Sequence, residues 1–157
     1  MERDEVFDNV DSRHALFELF FVFQNSLQAA GDAFFDDVTC KQFFLLLCLR
    51  RFGDELPTVN QLAERMGSSH QNVKQMLNKL EQGGYIKLCK DKDDRRKLRI
   101  VPAKRLKQLQ VKIEVKEHQF LRRLYEDVSI EETRVLLELL LRLKDNLENT
   151  KEECKDK

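Results

Sequence analysis

The sequence has no tryptophan, two prolines and five glycines among its 157 residues. None of the glycines builds a phosphate-cradling loop, because Gly83 and Gly84 close a helical pattern where a nucleotide loop would open one. The four cysteines (Cys40, Cys48, Cys89, Cys154) form no CxxC pair, and His14, His70 and His118 are equally scattered, so no zinc-like spacing exists. No metal and no cofactor is expected. No local motif joins a nucleophile to a base and an orienting group, which argues against an enzyme, although such groups can also meet only in space. Long apolar runs are missing too. The longest, FFLLLCL from Phe43 to Leu49, falls far short of the ~20 residues that cross a bilayer. The opening Met1–Asp11 stretch is acidic and polar, unlike a secretory leader. The expectation is a cytoplasmic protein without a membrane partner.

Charge and helical periodicity are abundant. Charged residues make up 36% of the chain, with 28 basic and 28 acidic side chains, and the length suits one domain with a real core. Apolar residues Leu16, Leu19, Phe20, Phe23 and Leu27 recur at helical spacing in DSRHALFELFFVFQNSLQAAG, which predicts a first helix over about 6–31 that stops near Gly31. Phe17, Phe21 and Val22 add apolar surface on its remaining sides. Thr39 and Gln42 have capping-box spacing ahead of a second helix that stops at Gly53, and Thr58 with Gln61 repeats the device ahead of a third that stops at Gly67. Ser69 is a good N-cap for a fourth helix ending at Gly83–Gly84. YIKLCK and KLRIV alternate apolar and basic residues, as half-buried strands do. Between them, Lys90–Lys97 is eight charged residues, five basic and three acidic, at the tip of a β-hairpin. Pro102 suits the first position of a long helix carrying Leu106, Leu109, Ile113, Phe120 and Leu124. Ser129 and Glu132 cap a last helix with Leu136, Leu139, Leu140, Leu143 and Leu147, and the apolar period is lost over 150–157, which predicts a frayed tail.

Helix, tight turn, helix and hairpin is the order of a winged helix-turn-helix. Ala63 lets the second of these helices approach closely, and Gly67 tolerates the left-handed backbone of the turn. The helix after the turn has two faces. Val73, Met76, Leu77 and Leu80 point to a core. Advancing 100° per residue puts Gln71, Gln75, Asn78 and Gln82 on the other side, with Asn72 and Lys79 nearby. An ordinary solvated face carries glutamate and lysine, whereas amides can offer adenine a donor and an acceptor together. From Pro57 to Pro102 there are ten bases and five acids, a net of +5, so the rest of the chain carries −5. Phosphate contacts depend on that local field, not on the total.

TVNQLAERMGSSHQNVKQMLNKLEQGGYIKLCKDKDDRRKLRIV resembles the winged-helix core of the MarR family of transcriptional regulators. The match is strongest at Asp94–Arg95–Arg96. The family's pattern, an aspartate and an arginine two apart, falls on Asp94 and Arg96, and the arginine is the one that enters a minor groove. Val101–Pro102 departs from the Leu-Thr that commonly follows the wing. The resemblance implies a mainly α fold with a small β-hairpin wing in a single domain. The winged helix-turn-helix core would cover about 39–102, and the dimerisation helices would cover about 6–31 and 103–149. It implies a homodimer on double-stranded DNA, a repressor acting on an inverted-repeat operator. Ser69, His70, Gln71, Asn72, Lys74, Gln75, Lys79, Arg95 and Arg96 would contact DNA, and Asp94 would orient the wing.

It also implies release by a small apolar or aromatic effector, for which Phe34, Phe43 and Phe44, next to Phe35, are the candidate lining. Aromatics at this spacing also serve as plain core. Cys40 is a candidate redox group, since it falls in the first turn of a helix beside Lys41, where the dipole favours a thiolate, but a buried, inert cysteine is the favoured reading. Two rival functions stay open: a winged helix that docks only to protein, and a thiol-based redox sensor or catalyst.

Overall fold

The computed structural model describes residues 11–155. The chain divides into two compact units, one reaching to Glu117 and the other starting at His118. In the first unit, α1 (Ser12–Phe34) is capped by Asp11, whose carboxylate accepts the Arg13 N–H at 2.7 Å. The expected start near residue 6 lies outside the described residues. The helix does not stop at Gly31 but runs three residues further. Gly31 is buried, and a Cβ built on it would stand 2.5 Å from Cys40 Sγ. This glycine therefore lets α1 and the next helix approach; it does not end α1.

The capping boxes form as the spacing predicts. Thr39 and Gln42 open α2 (Cys40–Arg50), and Thr58 and Gln61 open α3 (Val59–Met66). Each pair satisfies two orphan N–H groups at a helix start. Gly67 ends α3 at φ 59°, and Ser68 N–H reaches back to Ala63 O at 3.0 Å. That is the six-to-one bond of a Schellman turn, which needs the left-handed residue that glycine supplies. Ser69 then caps α4 (His70–Gln82) by accepting Asn72 N–H at 3.2 Å.

Strands β1 (Ile86–Lys90) and β2 (Leu98–Pro102) pair antiparallel, with Leu88 opposite Ile100 and Ile86 opposite Pro102. Pro102 is thus the last residue of a strand, not the first of a helix. The ladder continues past it, since Ala103 N–H donates to Tyr85 O at 2.9 Å, and proline is tolerated at a strand end. Leu45, Leu62, Val73, Leu77, Ile86, Ile100 and Leu106 are fully buried together as the core of this unit. Each such side chain stabilises the fold by about 1.5–3 kcal/mol. Helix α5 (Lys104–Leu124) adds Leu106, Leu109 and Ile113 to that core before passing into the second unit.

The second unit contains α6 (Ile130–Glu153), opened by the Ser129–Glu132 capping box. No residue of α6 is buried. The helix continues through Thr150 to Glu153, where a frayed tail was expected. Lys144 pairs with Glu148 at 2.6 Å and Thr150 Oγ1 donates to Asn146 O at 2.8 Å within this last part of the helix. Among the described residues no helix is long and apolar enough to cross a membrane.

Candidate nucleic-acid interface

Helix α4 separates its two faces as its sequence requires. Val73, Leu77 and Leu80 are buried and Met76 is half-buried, while Gln71, Asn72, Lys74, Gln75, Asn78 and Lys79 are exposed. The inner stripe fixes the helix against the core, which leaves the amide face rigid and wet. Two further contacts hold α4 in place. Glu81 accepts the Leu88 N–H at 2.6 Å, tying β1 to the helix. Arg105 lies over the Tyr85 ring at 4.9 Å and donates to Gly83 O at 2.8 Å, which satisfies a carbonyl just past the helix end.

The charged run is the hairpin tip. Asp94 accepts from the Arg96 backbone N–H at 3.1 Å and from its Nε and Nη2 at 3.1 and 3.4 Å. These bonds, the side-chain one foremost, hold the Asp94 carboxyl below the usual carboxylate range. The Arg96 side chain is 92% exposed, so the fork is aimed into solvent while its base is held. Such a two-point grip orients a guanidinium in a way a lone exposed arginine lacks. Arg95 is exposed beside it. His70 and Lys74 from α4 join Arg96 and Lys97 around a cleft of about 170 Å³, closed by Thr58, Val59, Asn60 and Leu98. Helix and wing residues that lie more than twenty positions apart in sequence thus share one basic concavity.

Asp91 was not among the expected site residues. It is only 4% exposed, and its carboxylate accepts the Asp93 and Asp94 N–H groups at 2.8 and 2.9 Å as well as the Arg99 guanidinium. The two backbone bonds, then Arg99, pull its pKa from 3.8 to about 2. An aspartate that opens a turn commonly bonds the backbone two residues on, but the sequence does not single out Asp91 from Asp93 and Asp94.

The comparisons with known proteins agree with this fold. Residues 36–97 match a model of the MarR family. The uncharacterized HTH-type transcriptional regulator YfiV of Bacillus subtilis is 32% identical over 117 residues, covering 74% of this chain and 72% of that protein. The chain belongs to the MarR family. It is a transcriptional regulator with a winged helix-turn-helix fold. Solved MarR-like folds cover most of it. An organohalide-sensing transcriptional regulator in its 2,4-dichlorophenol-bound form superposes at a TM-score of 0.77 with 19% identity, over 89% of this chain and 83% of that one. Streptococcus pneumoniae FabT in complex with DNA superposes at 0.63 with 21% identity, over 89% of this chain and 99% of that one.

In this MarR-family regulator the candidate effector aromatics have different surroundings. Phe43 is buried and stacks on Phe35 with ring centroids 4.3 Å apart, and Phe34 meets Phe35 edge-on at 5.6 Å. Phe44 is 45% exposed. Adjacent helical residues point about 100° apart, and here Phe43 turns into the core while Phe44 is left largely open. Cys40 also differs from the expectation of a favoured thiolate. Burial, and then the negative charge of Asp32, push its thiol pKa up. Asp32 stands there because its carboxylate accepts the Cys40 N–H at 2.7 Å, and the Cys40 thiol donates to Leu27 O at 3.7 Å. The helix-start N–H that would have favoured a thiolate is already used by a carboxylate.

Proposed function

We propose that this MarR-family regulator is a homodimeric repressor that binds an inverted-repeat operator in double-stranded DNA and is released by a small apolar or aromatic ligand. The observation that carries the DNA-binding part is the exposed amide face of α4 beside the Asp94-held Arg96, with His70, Lys74 and Arg96 around one cleft. In this mechanism Ser69, His70, Gln71, Asn72, Lys74, Gln75 and Lys79 enter a major groove. The amides read base edges and the bases contact phosphate. Arg95 and Arg96 enter the adjacent minor groove, where a narrow channel concentrates negative potential. The complex of FabT with DNA supports the same use of this fold.

Dimerisation is supported by each terminal helix separately. On α1, Phe17, Phe20, Phe21, Val22 and Phe23 are 39–62% exposed. On α6, Leu136, Leu137, Leu139, Leu140 and Leu141 are 38–56% exposed. Contiguous apolar surface on this scale marks an interface, and a two-fold pair closes it. The whole chain would then act as one single-domain subunit, working in the cytoplasm where DNA is accessible. The ligand response is supported by the dichlorophenol-bound organohalide sensor of the same fold. No step of this mechanism calls for enzymatic chemistry.

Selection of duplexes from a random pool by the full chain tests the proposal. Recovered sites should contain an inverted repeat with half-site centres about 10 bp apart, one turn of DNA. Recovery of sites with no repeat contradicts the dimeric reader. Salt-insensitive capture of a protein partner, without any DNA affinity, would instead support a docking module.

A further inference from the structure

We propose that Asp91 and Arg99 are positioning residues for the Asp94–Arg96 fork, and that neither touches DNA. The proposal rests on DNA binding as the function. Arg99 is one of the ten bases of the +5 segment, but its guanidinium is bonded within the protein while the side chain is 40% exposed. Nε donates to the Asp91 carboxylate and Nη1 donates to Leu56 O at 2.6 Å. Beside it, Ile100 N–H donates to Pro57 O at 2.9 Å, and Thr58 forms an isolated bridge with Arg99. The second wing strand is thereby fastened to the segment that leads into α3.

Asp91 extends that fastening to the tip. The same Oδ1 that accepts Asp93 N–H also accepts the N–H of Asp94, the residue that holds Arg96. Asp91 N–H in turn donates to Lys97 O, and Lys97 N–H donates to Asp94 O, both at 2.9 Å. A continuous series of bonds therefore runs from the α2–α3 connection through Arg99 and Asp91 to the backbone under the fork. Arg99 suits this role because one planar guanidinium can serve two acceptors at fixed angles, which lysine cannot do.

Charge makes the claim testable by sign. Asp91 is an acid set inside a basic wing, so its field opposes phosphate. If it acted only through that field, removing it would tighten DNA binding. If it positions the fork, removing it weakens binding, and only while Arg96 is present to be positioned.

The experiment is a titration of the full chain with its selected duplex at several salt concentrations. It compares wild type, Asp91→Ala, Arg96→Ala, the double variant and Arg99→Ala. Asp91→Ala should bind about tenfold more weakly in the wild-type background and within about twofold in the Arg96→Ala background, the signature of coupled residues. Arg99→Ala should lose affinity with its logarithmic salt slope unchanged, because losing a true phosphate contact lowers that slope by about 0.9. If Asp91→Ala unfolds, Asp91→Asn carries the same cycle. It keeps an acceptor for the turn N–H groups and loses the charge opposite Arg99, so a several-fold loss confined to the Arg96 background is expected. Equal or tighter binding by the Asp91 variant, the same loss in both backgrounds, or a reduced slope for Arg99→Ala overturns the proposal while leaving DNA binding intact. A wild-type chain that binds no duplex overturns the DNA-binding function itself, and this proposal with it.

Discussion

Replacing Gly31 with alanine tests how α1 and α2 meet. In an open helix interior the change stabilises by about 1 kcal/mol, because glycine has more backbone freedom to lose on folding. At Gly31 the new Cβ would lie 2.5 Å from Cys40 Sγ and 2.7 Å from Cys40 Cβ. Both distances are well inside the ~3.5–4.0 Å at which carbon contacts are attractive. Cys40 has little room to withdraw, since its N–H is bonded to Asp32, the residue after Gly31. Overpacking of this kind costs about 1–3 kcal/mol, and the double clash belongs in the upper half of that range. Subtracting the propensity gain leaves a net destabilisation of about 1–2 kcal/mol. For a chain of this length that is a fall in Tm of roughly 2–8 °C. The assay is thermal unfolding followed by circular dichroism at one fixed protein concentration, because the proposed dimerisation would make Tm concentration-dependent. Adding Cys40→Ala should recover part of the loss by removing Sγ and leaving Cβ. A Gly31→Ala protein more stable than wild type by about 1 kcal/mol would refute the reasoning, since that is the value for an uncrowded helix glycine.

Two further outcomes follow from the same geometry. Phe20→Asp or Leu140→Asp places a charge on an apolar helix face, at a cost of several kcal/mol if that face is covered in a dimer. Sedimentation should then find monomer or aggregate, and an intact dimer would move the interface elsewhere. Wild type and Cys40→Ser should hold DNA equally well at micromolar peroxide, because a thiol pushed up by burial and Asp32 offers little thiolate to oxidise. Release by wild type alone would make the protein a redox sensor.

Helix starts were legible in the sequence because caps are local. Thr39–Gln42, Thr58–Gln61 and Ser129–Glu132 each form their box, and Ser69 its cap, within three residues. The hairpin was legible because alternating apolar residues flank a charged tip. The failures share a cause: each depended on contacts between residues remote in sequence or on a polar stretch with no period. Gly31 read as a stop because its neighbour Cys40 lies nine positions on, across a turn. Pro102 read as a helix start because proline fits both there and at a strand end, and only the Tyr85–Ala103 bond decides between them. Thr150–Glu153 read as frayed because the stretch carries no apolar period. The fork of Asp94 and Arg96 was visible as a motif. The buried carboxylate beneath it was hidden among three aspartates whose burial the sequence does not distinguish.

The central claim is a division of labour, with α4 reading bases and the wing supplying sequence-blind affinity. Its most direct test is the affinity of Gln75→Ala and Arg96→Ala for a library of single-base variants of the selected operator, measured in parallel with wild type. Gln71→Ala and Asn72→Ala serve as companions to Gln75→Ala. The amide variants should each lose about 1–3 kcal/mol and relax preference at particular base pairs only. Arg96→Ala should weaken every site by a similar factor and leave the order of preference unchanged. Uniform, sequence-blind losses from the amide variants, or a preference at one base pair erased by Arg96→Ala, would contradict the account.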